Sequence, residues 1–157
     1  WKRNVLAVQK HMAAVRCVEG LTRMNTALEL MLRSSDDGMA ENVVVIGDAY
    51  EESYVQLKGI LDRCRSAKVK IFSFFEPGGH SAQTEPPPRT VFEEMAARTG
   101  GVFQEYREGL YLDELMVAAA VFTARGYRGL EELVNQKSKG AIAIQAQLLR
   151  IEDKKGE

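Results

Sequence analysis

The stretch Val43-Val44-Val45-Ile46-Gly47-Asp48 decides how this chain is read. Four consecutive β-branched residues are stiff at χ1 and favour extended backbone. The run is uninterrupted rather than alternating, the pattern of a strand covered on both faces, as in parallel sheets. Gly47 ends it, and Asp48 follows at the carboxyl end, where open α/β sheets bind their ligands. A carboxylate there can project into the crevice above the sheet while its backbone is held by the ladder. The competing role for Asp48 is to cap a helix starting near Glu51.

Outward from this strand, the pattern alternates between two periods. On the amino-terminal side, Val5, Val8, Met12 and Val15 recur at helical spacing, and Gly20 breaks the pattern. Met24, Ala27, Leu28, Met31 and Leu32 predict a second helix, ending near Ser34-Ser35-Asp36-Asp37-Gly38. On the carboxyl-terminal side, Tyr54, Leu57, Leu61 and Cys64 step by three and four and predict a helix over 51–65, with Glu51 and Glu52 at its start. Val69 to Phe75 is a second strand. All four prolines then fall in one loop, Glu76 to Arg89. Val91, Phe92, Met95 and Ala96 predict a helix that stops at Thr99-Gly100-Gly101, and Val102 to Tyr106 a third strand. A helix from Leu112 ends near Gly126, and Leu130 to Val134 continues as a further helical piece. The tail from Ala141 to Ile151 fits either period and is read as a helix. Strand–helix alternation of this kind predicts an α/β fold, a Rossmann-like three-layer sandwich with a mainly parallel sheet. Residues 1–137 read as one domain and 138–157 as a carboxyl-terminal extension.

Composition narrows the function. The 157 residues carry 21 Lys+Arg against 22 Asp+Glu, a formal charge of −1, which leaves no excess of cations to neutralise nucleic-acid phosphates. No apolar run reaches the roughly 18 residues of a membrane span. Two cysteines, Cys17 and Cys64, lack CxxC spacing and cannot build a disulfide framework, so a reducing, cytoplasmic compartment is expected and both read as small buried hydrophobes. The chain starts at Trp1 without an initiator Met or a signal-peptide pattern, which suggests a piece of something longer.

Several segments resemble von Willebrand factor A domains. Glu19-Gly20-Leu21-Thr22-Arg23-Met24-Asn25-Thr26-Ala27-Leu28 resembles the family's threonine-bearing loop and helix, with Ala27 and Leu28 five and six residues after Thr22. Val43 to Asp48 resembles its fourth strand, which ends on an acid, and Val69 to Phe75 its fifth. Phe92 to Phe103 resembles its next helix, Thr-Gly-Gly turn and sixth strand. Gly47-Asp48-Ala49-Tyr50-Glu51-Glu52 and Arg16-Cys17 resemble a bacterial, intracellular branch.

The resemblance implies a non-enzymatic protein–protein interaction module with a metal ion-dependent adhesion site. There a divalent cation, usually Mg²⁺ and alternatively Mn²⁺ or Ca²⁺, is held by an Asp-x-Ser-x-Ser motif, a Thr and a distant Asp. A partner's carboxylate completes the shell. Thr22 and Asp48 match the Thr and the distant Asp as metal ligands. Glu51 and Glu52 are candidates for the surrounding shell, and the loop with Glu76 and His80 for partner contact. No Asp-x-Ser-x-Ser occurs in the chain, and the family's first strand, first helix and second and third strands have no counterpart. The sheet is therefore expected to lack its amino-terminal part, supplied by a missing half or by a second chain. Without that part, Val43 to Ile46 would form an unpaired apolar edge.

An alternative reading is enzymatic. Gly47-Asp48 after an apolar strand, with Glu52 four residues on, also resembles the last acidic motif of haloacid dehalogenase-type Mg²⁺-dependent phosphohydrolases. The Asp-x-Asp nucleophile motif of that family is absent.

Overall fold

The computed structural model describes residues 23–35, 41–78, 85–107 and 110–153, together with positions 10, 13 and 14. These form five helices and three strands in the order α1 (Met24–Ser35), β1 (Asn42–Gly47), α2 (Tyr54–Ser66), β2 (Lys70–Phe75), α3 (Pro88–Thr99), β3 (Phe103–Glu105), α4 (Leu112–Asn135) and α5 (Lys139–Asp153). The predicted helix from Val5 to Val15 lies outside the described residues except for those isolated positions.

The sheet is wholly parallel, in the order β1-β2-β3. β2 is the central strand, and its period-two alternation divides the core. Ile71 and Phe75 join Leu57, Leu61, Val91, Phe92 and Met95 beneath α1, α2 and α3. Phe72 and Phe74 face the other way, onto Leu115, Ala118, Leu130 and Ile144 of α4 and α5. The protein is thus an α/β, Rossmann-like three-layer sandwich. Each fully buried Phe contributes about 1.5–3 kcal/mol, which makes β2 the main anchor of both helical layers.

Three local expectations are corrected. The run 43–46 is not covered on both faces: Val43 and Val45 pack toward the first core, but Val44 and Ile46 remain 39% and 38% exposed. The reason is topological, since among the described residues no strand lies outside β1. The helix predicted over 51–65 starts at Tyr54, because Ser53 takes the N-cap and its hydroxyl accepts from the Gln56 N–H. Glu51 and Glu52 therefore precede the helix rather than begin it. The proline loop ends at Pro87, and Pro88 and Arg89 already belong to α3. Proline suits that first turn, where its missing N–H is not needed.

The long α4 changes direction at Gly126, whose φ of 61° and ψ of −153° are non-helical. That break is where the pattern predicted one helix to end before Leu130. The tail is helical, and Ala141, Ile144 and Leu148 of α5 are buried in the second core.

Candidate functional site at the carboxyl ends of the strands

Three side chains stand in a row at the carboxyl edge of the sheet, each the first residue beyond its strand: Asp48 after β1, Glu76 after β2 and Tyr106 after β3. The ladder itself sets them side by side. The Glu76 N–H donates to the Gly47 carbonyl at 3.0 Å, and the Tyr106 N–H to the Phe75 carbonyl at 3.0 Å. Parallel strands in register deliver their ends to one edge, which is why this edge rather than another concentrates functional groups.

Asp48 is exposed. The Tyr106 hydroxyl donates to Glu76 Oε2 at 2.9 Å. Burial, the Glu76 carboxylate and the more distant Asp48 charge together push the Tyr106 phenol up to about 12. Burial first, and then the Glu76 carboxylate, therefore keep this tyrosine a neutral donor. Glu76, Pro77, Gly78, Tyr106 and Arg107 line a crevice of about 540 Å³ over this end of the sheet. At its margin, Glu105 is gripped by Arg89 and Arg107. Hydrogen bonds from Arg89 first, and then Arg107, hold its carboxyl below the usual carboxylate range.

Beside this row, the loop after Asp48 clasps the start of α1. Glu52 Oε2 accepts from the Asn25 backbone N–H at 2.5 Å. A carboxylate on a first-turn amide satisfies a donor with no partner in its own helix and complements the positive end of the helix dipole. The buried Tyr50 hydroxyl lies 3.0 Å from both Asn25 Oδ1 and the Ser53 carbonyl, sharing its proton between them. Asn25 Nδ2 donates to the same Ser53 carbonyl at 3.2 Å. No buried side-chain polar atom of this network is left unpaired, in a place where an unpaired one would cost about 1–3 kcal/mol.

Of the sequence-predicted site residues, Asp48 and Glu76 are brought together at the carboxyl edge. Glu52 is instead engaged at the α1 amino terminus, and Glu51 is exposed beside it. Thr22 and His80 lie outside the described residues, as does Cys17. Cys64 is fully buried in the first core, and burial pushes its thiol up to about 11, as suits a packing residue rather than a nucleophile. Among the described residues, no three His, Cys, Asp or Glu side chains are grouped so that they could hold a metal ion.

Sequence reading missed Tyr106, Tyr50 and Asn25. Tyr106 was hidden inside the predicted third strand, which stops one residue earlier. Its signal was positional: the first residue past a parallel strand reaches the same edge as Asp48. Tyr50 and Asn25 meet only through tertiary contact and carry no local mark.

No family model matches the chain, and no curated protein does. None of the described helices is long and apolar enough to cross a membrane.

Proposed function

We propose that this protein is a non-enzymatic protein–protein interaction module of the von Willebrand A type, whose recognition face is the carboxyl edge of the sheet. The observation that carries this reading is the clasp between the loop 48–53 and the amino terminus of α1. It ties the segment following Asp48 to the helix that begins two residues after Thr22. The two residues that resemble metal ligands thus flank elements bonded to each other.

In this reading Asp48 and Thr22 would hold a divalent cation, Mg²⁺ first. Mg²⁺ takes six oxygen ligands and is commonly bound through only one or two carboxylates with several waters. The donor set of this chain is that sparse: Asp48 is the carboxylate, Thr22 adds a hydroxyl, and the rest of the shell falls to water and an acidic residue of the partner. Such a cation would supply an electrophilic point charge beside the Asp48 carboxylate. The loop sequence from Glu76 to Arg89 would then set the choice of partner.

Calorimetric titration of the full chain with Mg²⁺ or Mn²⁺ tests the proposal. Wild type is expected to bind, and Asp48→Ala and Thr22→Ala are expected to lose most of that binding. Equal binding by wild type and Asp48→Ala would overturn the site assignment. Mg²⁺-dependent hydrolysis of an aryl phosphate, abolished in Asp48→Asn, would favour the phosphohydrolase alternative instead.

A further inference from the structure

Among the described residues, the outer edge of β1 is open and largely apolar on both faces. Its inner side is used by β2: the Lys70 N–H donates to the Glu41 carbonyl and the Glu76 N–H to the Gly47 carbonyl. Backbone groups alternate in direction along a strand, so the N–H and C=O of Asn42, Val44 and Ile46 point away from β2. No described strand pairs with them. On one face, Val44 and Ile46 are exposed. Along the edge runs a groove of about 340 Å³, lined by Ala27 and Met31 of α1 and by Val43 to Ile46 of β1, with Arg23 at its margin. The strand's own residues carry no edge protection: from Asn42 to Gly47 there is no proline, no charge and no inward-pointing lysine.

An occupant of this edge must be extended and apolar on both faces, which describes β1 itself. We propose that β1 is a self-association surface, at which two copies of the chain pair antiparallel about a two-fold axis through Val45. The register follows from parity and charge. An axis perpendicular to the sheet keeps the faces of the two copies aligned, so a residue must oppose one of the same parity. With the axis at Val45, Val44 of one copy opposes Ile46 of the other, twice, and Asn42 opposes Asp48, an amide against an acid. The outward groups of Val44 and Ile46 then form the hydrogen-bonded pairs, and Val45 faces its own copy in a non-hydrogen-bonded pair. A slip of one residue would set Glu41 against Asp48 at both ends and mismatch the faces. An axis at Val44 would place the Asn42 amide against Ile46. The Val45 register alone buries both exposed side chains together and opposes no like charges. It also consumes the edge, so association closes at two copies.

The test is sedimentation equilibrium of the full chain over a range of concentrations. Wild type is expected to approach twice the 17.5 kDa chain mass. The double variant Val44→Lys/Ile46→Lys is expected to weaken association by roughly 100-fold or more, because it places unpaired charges in the apolar seam. Val55→Lys, on the exposed surface of α2, leaves association unchanged. A second measurement does not depend on the lysine variant folding: Val45→Cys should cross-link two chains on mild oxidation, since residues at a non-hydrogen-bonded pair lie about 4.5 Å apart at Cα. Val43→Cys should not. A monomer at every concentration would overturn the proposal and leave the edge to a different extended segment. So would assemblies beyond two copies, association unaffected by the folded lysine variant, or equal cross-linking at positions 43 and 45.

Discussion

Thr99 performs a structural task that its place in a Thr-Gly-Gly turn did not disclose. Its hydroxyl donates to the Met95 carbonyl at 2.7 Å and accepts from the Ile71 N–H at 2.9 Å. The short β3 does not reach back far enough to pair with that amide, so a side chain replaces a strand. Thr99→Val leaves the Ile71 N–H buried without a partner, and a loss of about 1–3 kcal/mol is expected in urea denaturation. Gly101 beside it is required for space, because a Cβ there would fall 1.9 Å from the Ile71 carbonyl oxygen. Tyr106 offers a pH test. Its phenol is raised above the ordinary 10.0 to about 12 in the folded protein. The unfolded chain therefore loses this proton first, and the stability contributed by Tyr106 is full below pH 10 and lost as pH rises toward 12. The alkaline fall in stability is expected to be shallower in Tyr106→Phe, measured by thermal unfolding across that window. At this scale Asp48 was legible from its place after an apolar run. Tyr106 was not, because strand ends are read from sequence only to within a residue or two.

Among the elements, α4 and α5 pack closely where α5 begins. Gly140, near the start of α5, sits so near α4 that a Cβ would lie 2.4 Å from the Glu114 carbonyl carbon. The Glu114 side chain in turn accepts from the Gly140 N–H at 3.1 Å and from the Ser138 hydroxyl at 3.1 Å. Ser138 Oγ also accepts from the Ala141 N–H, so α5 starts with two of its otherwise unpaired amides satisfied. Gly140→Ala is expected to cost at least about 1–3 kcal/mol through overpacking against backbone, read as a lower urea midpoint. The same junction is acid-sensitive. The Gly140 amide, followed by Ser138 and Lys139, holds the Glu114 carboxyl below its ordinary 4.5. Its contribution is therefore complete above that value and lost as pH falls through the lowered one. Glu114→Gln should flatten the acid limb of the stability profile. Sequence period located α4 and the break at Gly126, since apolar spacing is a local property, but in the tail that became α5 it fitted strand and helix alike. The capping by Glu114 was not readable, because its partners lie 24 and 26 residues away.

For the whole molecule, one strand organises two cores. β2 divides its side chains between α1–α3 on one face and α4–α5 on the other, and both helical layers depend on it. β1 has the composition of a second such strand but, among the described residues, lacks the neighbours, which is why Val44 and Ile46 reach solvent and why pairing with another copy is the event to test. The sequence by itself determined the order of strands and helices, the parallel character of the sheet and the placement of an acid at a strand end. All of these follow from short-range periodicity and β-branched runs. Only the tertiary structure decided which strand is central and which is edge, that Asp48, Glu76 and Tyr106 share one rim, and that Glu52 serves α1 rather than α2. Those outcomes depend on register and on contacts between segments some 25 to 30 residues apart, and no local pattern encodes which distant group will be opposite.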